Sequence, residues 1–213
     1  MYIPKAFEES RSAELVRVIE SFSLGSLSYC VNGRIDAIHV PFEYSASPTG
    51  GVLRAHVARA NPIWTALESG AEVLVIFRGE DAYVSPNWYP SKHELHRQVP
   101  TWNYQVVHVR GKIRKIDSVQ ALRGILERQT AVLEARAGED KPWKLTDSAD
   151  DYIEQLMACV MAIQIDISLI TGKSKLGQDE VTRDREGAAH ALGERNASEI
   201  SNAMLTAPIR KEP

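Results

Sequence analysis

The segment AYVSPNWYPSKHELHRQVPTWNYQVVH, from Ala82 to His108, concentrates the side chains of this sequence that can stack on a ligand or hydrogen-bond to it. It holds two tryptophans, three tyrosines, three prolines and three histidines. A core strand or helix rarely carries so many, because each buried Trp N–H and Tyr O–H needs a hydrogen-bond partner. The composition therefore predicts the wall of a binding site. A rigid aromatic surface loop, or a contact between subunits, is the alternative.

A second group of polar side chains lies in the sequence LRAHVARANP, where a predicted strand runs into a predicted helix. Arg59 and Asn61 follow the strand end, where exposed backbone N–H groups and a guanidinium can together hold a phosphate. The pattern predicts a site for a phosphorylated cofactor. The alternative is that Arg59 pairs on the surface and that His56 is a hydrogen-bonded core histidine. Lys173 and Lys175, after the last predicted strand, add positive charge that suits the same anion.

Several motifs of metal and nucleotide chemistry fail on their spacing. His93 and His96 are three residues apart, whereas a zincin helix needs two histidines four apart so that both face one metal. Gly172-Lys173-Ser174 resembles the end of a phosphate-binding loop, but Ile167 stands where that loop needs its first glycine. The sequence has no G-x-G-x-x-G, no G-x-S-x-G and no spaced cysteine pairs. Zinc, triphosphatase, Rossmann and serine-hydrolase chemistry is therefore disfavoured.

The composition is that of an ordinary soluble globular chain, with 213 residues of which 44% are hydrophobic and 25% charged. With 25 basic against 28 acidic residues, no overall positive field favours nucleic acid. Cys30 and Cys159 lie far apart in apolar stretches, which predicts two buried free thiols and a reducing cytoplasm. No signal peptide or membrane span is indicated, so we expect a cytoplasmic protein that does not enter a membrane.

The elements that would position these groups follow from the hydrophobic periodicity. Apolar residues at helical spacing predict a first helix near residues 12–22, and Asn32-Gly33 predicts a hairpin turn between strands at Leu24–Val31 and Ile35–Phe42. Further strands are predicted at 52–57, 72–77, 82–85, 103–116 and 161–170, with turns at 47–51 and 79–81. Further helices are predicted at 60–69, from a cap at Asp117 to about Gly138, and at 153–160.

No repeat, low-complexity block or linker divides the chain, which favours a single domain over residues 1–213. The predicted fold class is mainly β with peripheral helices, with six to seven antiparallel strands. A closed or nearly closed barrel would hide the sheet edges. Helical additions are expected at roughly 118–159, and a polar C-terminal tail at roughly 172–213.

Five segments carry a resemblance to a known family: MYIPKAF at the start, HVARANP at 56–62, YVSPNWYPSK at 83–92, VPTWNYQVVHVRG at 99–111 and KSKLGQ at 173–178. In order and length they resemble the PaiB-type family of FMN-binding negative transcriptional regulators. The resemblance implies an FMN-binding split barrel, a small antiparallel Greek-key barrel shared with pyridoxamine-phosphate oxidases and flavin reductases. It also implies FMN as cofactor and a homodimer with flavin at the subunit interface.

The resemblance also assigns the cofactor-binding residues. The strand at 38–42, which contains His39, would lie along the flavin ring, and His56, Arg59 and Asn61 would approach the ribityl phosphate. Trp102, Asn103 and Tyr104 would come from the partner subunit. A late motif that commonly reads KWKLSQN in the family carries over to Lys173, Lys175 and Gln178, whereas Ser174, Gly177 and Asp179 depart from it.

Two classes of function follow. A negative transcriptional regulator would sense flavin or a metabolite and contact DNA, although the acidic net charge and the mixed polar face of residues 184–191 do not favour DNA contact. An FMN-dependent oxidoreductase acting on a small molecule would take electrons from the flavin and protons from one of four histidines: His39, His56, His93 or His108. A flavin storage module is a third possibility.

Overall fold

The fold is taken from a computed structural model that describes residues 1–47, 50–63 and 70–208. Most of the helix predicted at 60–69, and part of the turn predicted at 47–51, lie outside the described residues. The chain divides into two compact units. The smaller unit comprises Met1–Val18, Arg78–Val107 and Thr171–Pro213, and the larger unit comprises Ile19–Phe77 and His108–Ile170.

The secondary structure of the described residues is mainly β. The strands are β1 Glu8–Glu9, β2 Leu24–Val31, β3 Arg34–Pro41, β4 Glu43–Ser45, β5 Val52–Ala58, β6 Glu72–Val84, β7 Thr101–Ile116 and β8 Val160–Lys175. The α-helices are α1 Ser12–Ser21, α2 Pro90–Leu95, α3 Val119–Ala137, α4 Asp150–Ala158, α5 Thr182–Gly193 and α6 Ser198–Thr206. The predicted class, mainly β with peripheral helices, is confirmed.

The strands of the larger unit are hydrogen-bonded in the order β3-β2-β6-β7-β8-β5-β4. Only Phe42 separates the end of β3 from the start of β4. The two strands at the ends of this order are therefore consecutive in the chain. The pairs β2–β3, β2–β6, β4–β5 and β5–β8 are antiparallel. In the smaller unit, β1 pairs with the end of β8, with Glu8 opposite Lys173.

The eight strands of the described chain exceed the six or seven predicted. β1 and β4 were not predicted, because they have two and three residues and are too short to show a period-two pattern, while the strands predicted at 72–77 and 82–85 form the single strand β6. The β2–β3 hairpin is as predicted, because Asn32 and Gly33 both adopt positive φ, 51° and 76°. β6 does not turn at 79–81; it continues to Val84, and an ion pair of 2.7 Å joins Arg78 to Asp81 along it.

The core of the larger unit is filled by alternate residues of its strands. Leu27 and Val75 are fully buried, and the Phe42 and Phe77 rings meet edge to face with centroids 5.8 Å apart. Helices α3 and α4 add a second cluster, made of Leu122, Ile125, Leu145, Ile153, Met157 and Ala162. Ser118, not the predicted Asp117, caps α3, because its Oγ accepts the N–H of Ala121.

The smaller unit contains the largest departure from the sequence-based expectation. A polar tail was expected from residue 172, but β8 runs to Lys175 and α5 and α6 follow it. These helices enclose an apolar cluster of Val84, Tyr89, Leu176, Ala188, Ala189, Leu192, Ile200, Met204 and Ala207. Much of the apolar face of α5 consists of alanine, which is why its signal within a charged segment is weak.

Two further observations bear on the sequence-based expectations. Cys30 and Cys159 are free thiols as expected, but both are exposed, so the prediction of buried thiols is wrong. Cys30 lies on the outward face of β2, and Cys159 caps the C-terminus of α4. Among the described residues, no helix combines the length and apolar character that crossing a membrane requires.

Candidate functional site

The segment after β5 forms a polar corner in the larger unit, which we call the HVARANP corner (residues 56–62). Alternation along β5 buries Leu53, Ala55 and Val57, so that His56 projects to the opposite side. The chain then leaves the sheet. The N–H of Arg59 donates to the carbonyl of Cys159 over 2.8 Å, and the N–H of Asn61 donates to that of Ala58 over 3.0 Å.

The side chains of this corner are only partly committed to the protein. The Nε–H of Arg59 donates to the carbonyl oxygen of Ala158 over 2.8 Å, which fixes the guanidinium at the end of α4. Within the described residues its two terminal nitrogens have no partner, so their four N–H groups remain for a ligand. Asn61 Oδ1 accepts the N–H of Ile63 over 3.0 Å, which leaves its amide NH₂ as a donor.

His56 is held by a buried glutamine. Its Nδ1 lies 3.1 Å from Oε1 of Gln129, whose Nε2 donates to the carbonyls of Pro41 and Arg54 over 3.1 and 3.3 Å. The sequence analysis predicted a helix over this position but assigned Gln129 no role. A glutamine at a core-facing position of an amphipathic helix is the signal that would have identified it, since a buried amide requires partners.

Arg59 also borders a cavity of about 540 Å³ in the larger unit. Its apolar lining comes from the start of α3, the end of α4 and the start of β8, and includes Leu122, Met157 and Met161. Arg123, Asp117 and Glu154 add charged groups. The cavity therefore offers an apolar surface for a planar group beside a guanidinium with four free N–H donors. A phosphate-bearing aromatic molecule needs that combination.

His39 lies apart from the contacts of the HVARANP corner. It is exposed on β3, with Ser26 opposite it on β2. The other histidines considered for proton transfer also differ in environment. His93 is exposed, with Nε2 3.2 Å from the carbonyl oxygen of Asn87, whereas His108 is half-buried and burial lowers its pKa. Burial therefore favours the neutral form of His108.

In the smaller unit, β7 separates the predicted site residues onto two faces. Trp102 is 54% exposed and meets the 46% exposed Tyr83 of β6 edge to face, with ring centroids 6.2 Å apart. Tyr104 lies on the same face of β7 as Trp102, because the two are separated by one residue. Asn103 points the other way: it is 1% exposed, and its Nδ2 lies 3.4 Å from Sδ of Met204.

The residues of the late motif have distinct environments. Lys173 places its ammonium 5.3 Å from the centre of the Tyr104 ring, a cation–π contact. Lys175 donates to Oγ1 of Thr101 and, over 3.0 Å, to the carbonyl of Trp102, and burial lowers its pKa. Gln178 closes its own turn by accepting the N–H of Leu176 and donating to the carbonyl of Ser174. Asn103 and Gln178 thus contact other groups of the chain, whereas Trp102, Tyr104 and Lys173 present a polar aromatic face.

A buried polar cluster was missed by the sequence analysis. Asp184 of α5 is 1% exposed and accepts hydrogen bonds from the backbone N–H and Oγ of Ser91 and from Nε2 of Gln98. Gln98 also donates to Glu180 over 3.2 Å, and burial raises the pKa of that carboxyl group. Tyr89 is buried beside these acids, and burial raises its pKa strongly. The YPSK portion of the aromatic run therefore anchors α5.

Comparison with known proteins connects this architecture to flavin binding. Residues 1–169 match the sequence profile of a family described as "Putative FMN-binding domain". The chain is 29% identical over 185 residues to the protease synthase and sporulation protein PAI 2 of Bacillus subtilis (strain 168), covering 86% of this chain and 85% of that protein. It is 30% identical over 221 residues to an uncharacterized protein of Emericella nidulans, covering 88% of each.

Solved structures share the fold at low sequence identity. The FAD and heme binding protein from Mycobacterium smegmatis superposes with a TM-score of 0.55 at 17% identity, over 79% of this chain and 73% of that one. The flavocytochrome Anf3 from Azotobacter vinelandii gives a TM-score of 0.53 at 11% identity, over 81% and 72%. The fold class is therefore the predicted flavin-binding split barrel.

Proposed function

Because the chain belongs to the FMN-binding domain family, whose cofactor is FMN, we propose that it holds the FMN phosphate at the HVARANP corner and acts as an FMN-dependent negative regulator of transcription. The observation that carries the cofactor site is the guanidinium of Arg59. Its Nε is fixed on the Ala158 carbonyl, its terminal N–H groups have no partner among the described residues, and the residue borders a cavity of about 540 Å³.

The donor set of the corner fits a phosphate dianion. Arg59 supplies a bidentate edge, which matches the geometry of phosphate oxygens, and Asn61 supplies an amide NH₂. His56 lies in the same corner, with its ring oriented by the contact of its Nδ1 with Gln129. Leu122, Met157 and Met161 offer an apolar surface that excludes water from a ring. When bound, FMN supplies one- and two-electron redox chemistry.

We further propose that the protein is a homodimer in which Trp102 and Tyr104 of one subunit cover the flavin of the other. The half-exposed Tyr83–Trp102 pair supports this proposal, because large aromatic groups in water favour an interface. Mixing subunits that carry Arg59→Ala with subunits that carry Trp102→Ala should restore one intact FMN site per mixed dimer. Mixed dimers without any restored site would contradict the shared arrangement.

The regulator role is supported by the resemblance to the PaiB type. Helices α5 and α6 are joined by four residues, 194–197, the spacing of a helix-turn-helix. However, α6 has the sequence SEISNAMLT, which contains no lysine or arginine, so it cannot neutralise DNA phosphates. We therefore assign regulation to flavin occupancy of the larger unit and assign no DNA-reading role to α6.

A second candidate function is an FMN-dependent oxidoreductase acting on a small molecule. The face formed by Tyr83, Trp102, Tyr104 and Lys173 favours it, because exposed aromatic rings with an adjacent ammonium suit a planar anionic substrate. His108, kept neutral by its lowered pKa, is suited to accept a proton at neutral pH.

The test is a titration of the purified, flavin-free protein with FMN and with riboflavin, followed by quenching of flavin fluorescence. One FMN per chain should bind saturably, and riboflavin, which lacks the phosphate, should bind at least tenfold more weakly. Equal affinities would contradict the phosphate site, and absence of binding would refute the cofactor role. With the FMN complex in hand, flavin-dependent shifts of genomic DNA fragments support the regulator, whereas bleaching of the flavin bands by NAD(P)H with turnover supports the enzyme.

A further inference from the structure

A second cavity, of about 450 Å³, lies in the larger unit and is separate in its lining from the one that Arg59 borders, since the two share no residue. We call it the α3 cavity. It is enclosed by the second half of α3, the end of α1 and the bend between β3 and β4. Its volume falls within the range of about 300–1,000 Å³ typical of small-molecule sites.

The walls of the α3 cavity are mostly apolar. Phe42, Pro41 and Tyr44 form one side, and α3 contributes Val132 and Leu133 on the other. Val132 and Leu133 are 51% and 44% exposed, so these two large aliphatic side chains of the cavity lining are in contact with water. Covering them with an apolar group is favourable at roughly 25 cal/mol per Å² of apolar surface removed from water. The cavity is therefore shaped for a ligand with an apolar body.

The charges of the cavity lining are two carboxylates and two guanidinium groups. Arg128 and Glu43 neutralise each other through two hydrogen bonds of 2.7 and 3.1 Å. Glu20 and Arg136 also line the cavity, and neither side chain forms an ion pair or hydrogen bond with the described residues. One free carboxylate and one free guanidinium at an apolar cavity complement the ammonium and carboxylate groups of an amino acid.

The α3 cavity also touches the polar corner through one side chain. Gln129, 7% exposed, lines the cavity and makes the contact with His56 and the hydrogen bonds to β3 and β5 described above. Any shift of Gln129 on ligand binding must move the Nδ1 partner of His56. The α3 cavity and the HVARANP corner are therefore connected through the contact between Gln129 and His56.

We propose that the α3 cavity binds a large apolar α-amino acid, with its carboxylate on Arg136, its ammonium on Glu20 and its side chain against Phe42 and Leu133. We also propose that this binding changes the affinity for FMN through Gln129 and His56. The first statement stands on the cavity alone, whereas the second rests on the proposed FMN site.

The binding test uses L-phenylalanine with the full-length, flavin-free protein in isothermal titration calorimetry. L-Phenylalanine should bind saturably, and both 3-phenylpropionate, which lacks the ammonium, and phenethylamine, which lacks the carboxylate, should bind about fivefold more weakly. Glu20→Gln should weaken L-phenylalanine about fivefold and leave 3-phenylpropionate unchanged. Arg136→Gln should weaken L-phenylalanine by a similar factor and leave phenethylamine unchanged.

The apolar wall has a matched control. Leu133→Glu should abolish binding, whereas Leu156→Glu, at an equally exposed leucine of α4 outside the cavity, should leave it intact. Size-exclusion chromatography of both variants tests the other occupant, a second copy of the chain. The amino-acid site would be overturned if L-phenylalanine did not bind saturably, or if the two glutamate variants had equal effects. It would also be overturned if the original protein bound no ligand and Leu133→Glu alone changed the oligomeric state.

The coupling is tested by reciprocity in the unmutated protein. Saturating L-phenylalanine should change the dissociation constant of FMN by the same factor by which saturating FMN changes that of L-phenylalanine, because linkage requires it. We expect a factor of about five, at the low end of measured coupling. Independent binding of the two ligands would refute the coupling and leave the amino-acid site standing. If L-phenylalanine binds and FMN does not, only the proposed cofactor site is refuted.

Discussion

Replacing Arg59 by alanine removes the one side chain of the HVARANP corner with four free N–H donors. A hydrogen bond to a charged group contributes about 1.5–3 kcal/mol. Arg59 is exposed, so solvent screening places the loss at the lower end, about 1.5 kcal/mol, which is roughly a tenfold rise in the dissociation constant of FMN. Riboflavin has no phosphate, so its affinity should not change.

The assay is quenching of flavin fluorescence for both ligands, with the original protein and the variant, at low and moderate salt. Arg114→Ala is the matched control, because Arg114 is an exposed arginine of the same unit paired with Asp166 at 3.2 Å and away from the cavity. Loss of the hydrogen bond to Ala158 should lower the free energy of unfolding by only about 1 kcal/mol. An unchanged dissociation constant for FMN, or an equal loss for FMN and riboflavin, would refute the assignment.

Three further predictions concern stability. Gly111→Ala should lower the free energy of unfolding by about 3 kcal/mol in urea denaturation, because the added Cβ would lie 2.4 Å from a backbone oxygen of β8. Gly124→Ala in α3 is the control and should not lower it. Equal effects of the two variants would contradict the close approach at Gly111. Asp184→Asn should cost about 1.5–3 kcal/mol, since an amide cannot accept all the hydrogen bonds from Ser91 and Gln98; unchanged stability would contradict their role. Burial raises the pKa of Glu180, so its contribution to stability is present below its ordinary pKa, about 4.3, and is lost as pH rises through the raised value. Glu180→Gln should therefore gain stability relative to the original protein as the pH rises above the ordinary pKa of a glutamate, about 4.3, in thermal melts, and parallel pH profiles would argue against it.

The sequence predicted the elements whose signals are local and strong. The Asn32-Gly33 turn, the apolar stripe of α1 and the alternation of β5 each follow from a pattern within about ten residues, and each is present. The corner around Arg59 could also be identified, because a strand followed by arginine and asparagine can be recognised from the sequence alone. Its contact with the Ala158 carbonyl was not, since the two residues are 99 positions apart in the chain.

The remaining misses arise from burial that depends on distant segments. Ser91 and Asp184 are 93 positions apart, and only the tertiary structure shows that one satisfies the other. Cys30 and Cys159 sit in apolar stretches, yet strand alternation and a helix end turn both outward. Apolar neighbours in sequence therefore do not establish that a thiol is buried, because on a strand the adjacent residue faces the opposite side.

The aromatic run from Ala82 to His108 divides into residues that face inward and residues that face outward. Its composition alone, which suggested a single site, does not show this division. Tyr89 and Ser91 face inward, where Tyr89 fills the cluster with α5 and α6 and Ser91 binds Asp184. Trp102 and Tyr104 lie on the outer face of β7 and remain accessible. The family profile ends at residue 169, yet the inward half of the run packs with the helices beyond it, since Tyr89 is 2% exposed and shares its cluster with residues of α5 and α6. The C-terminal helices are therefore an integral part of the smaller unit, and the outer aromatic face of the run stays accessible to solvent.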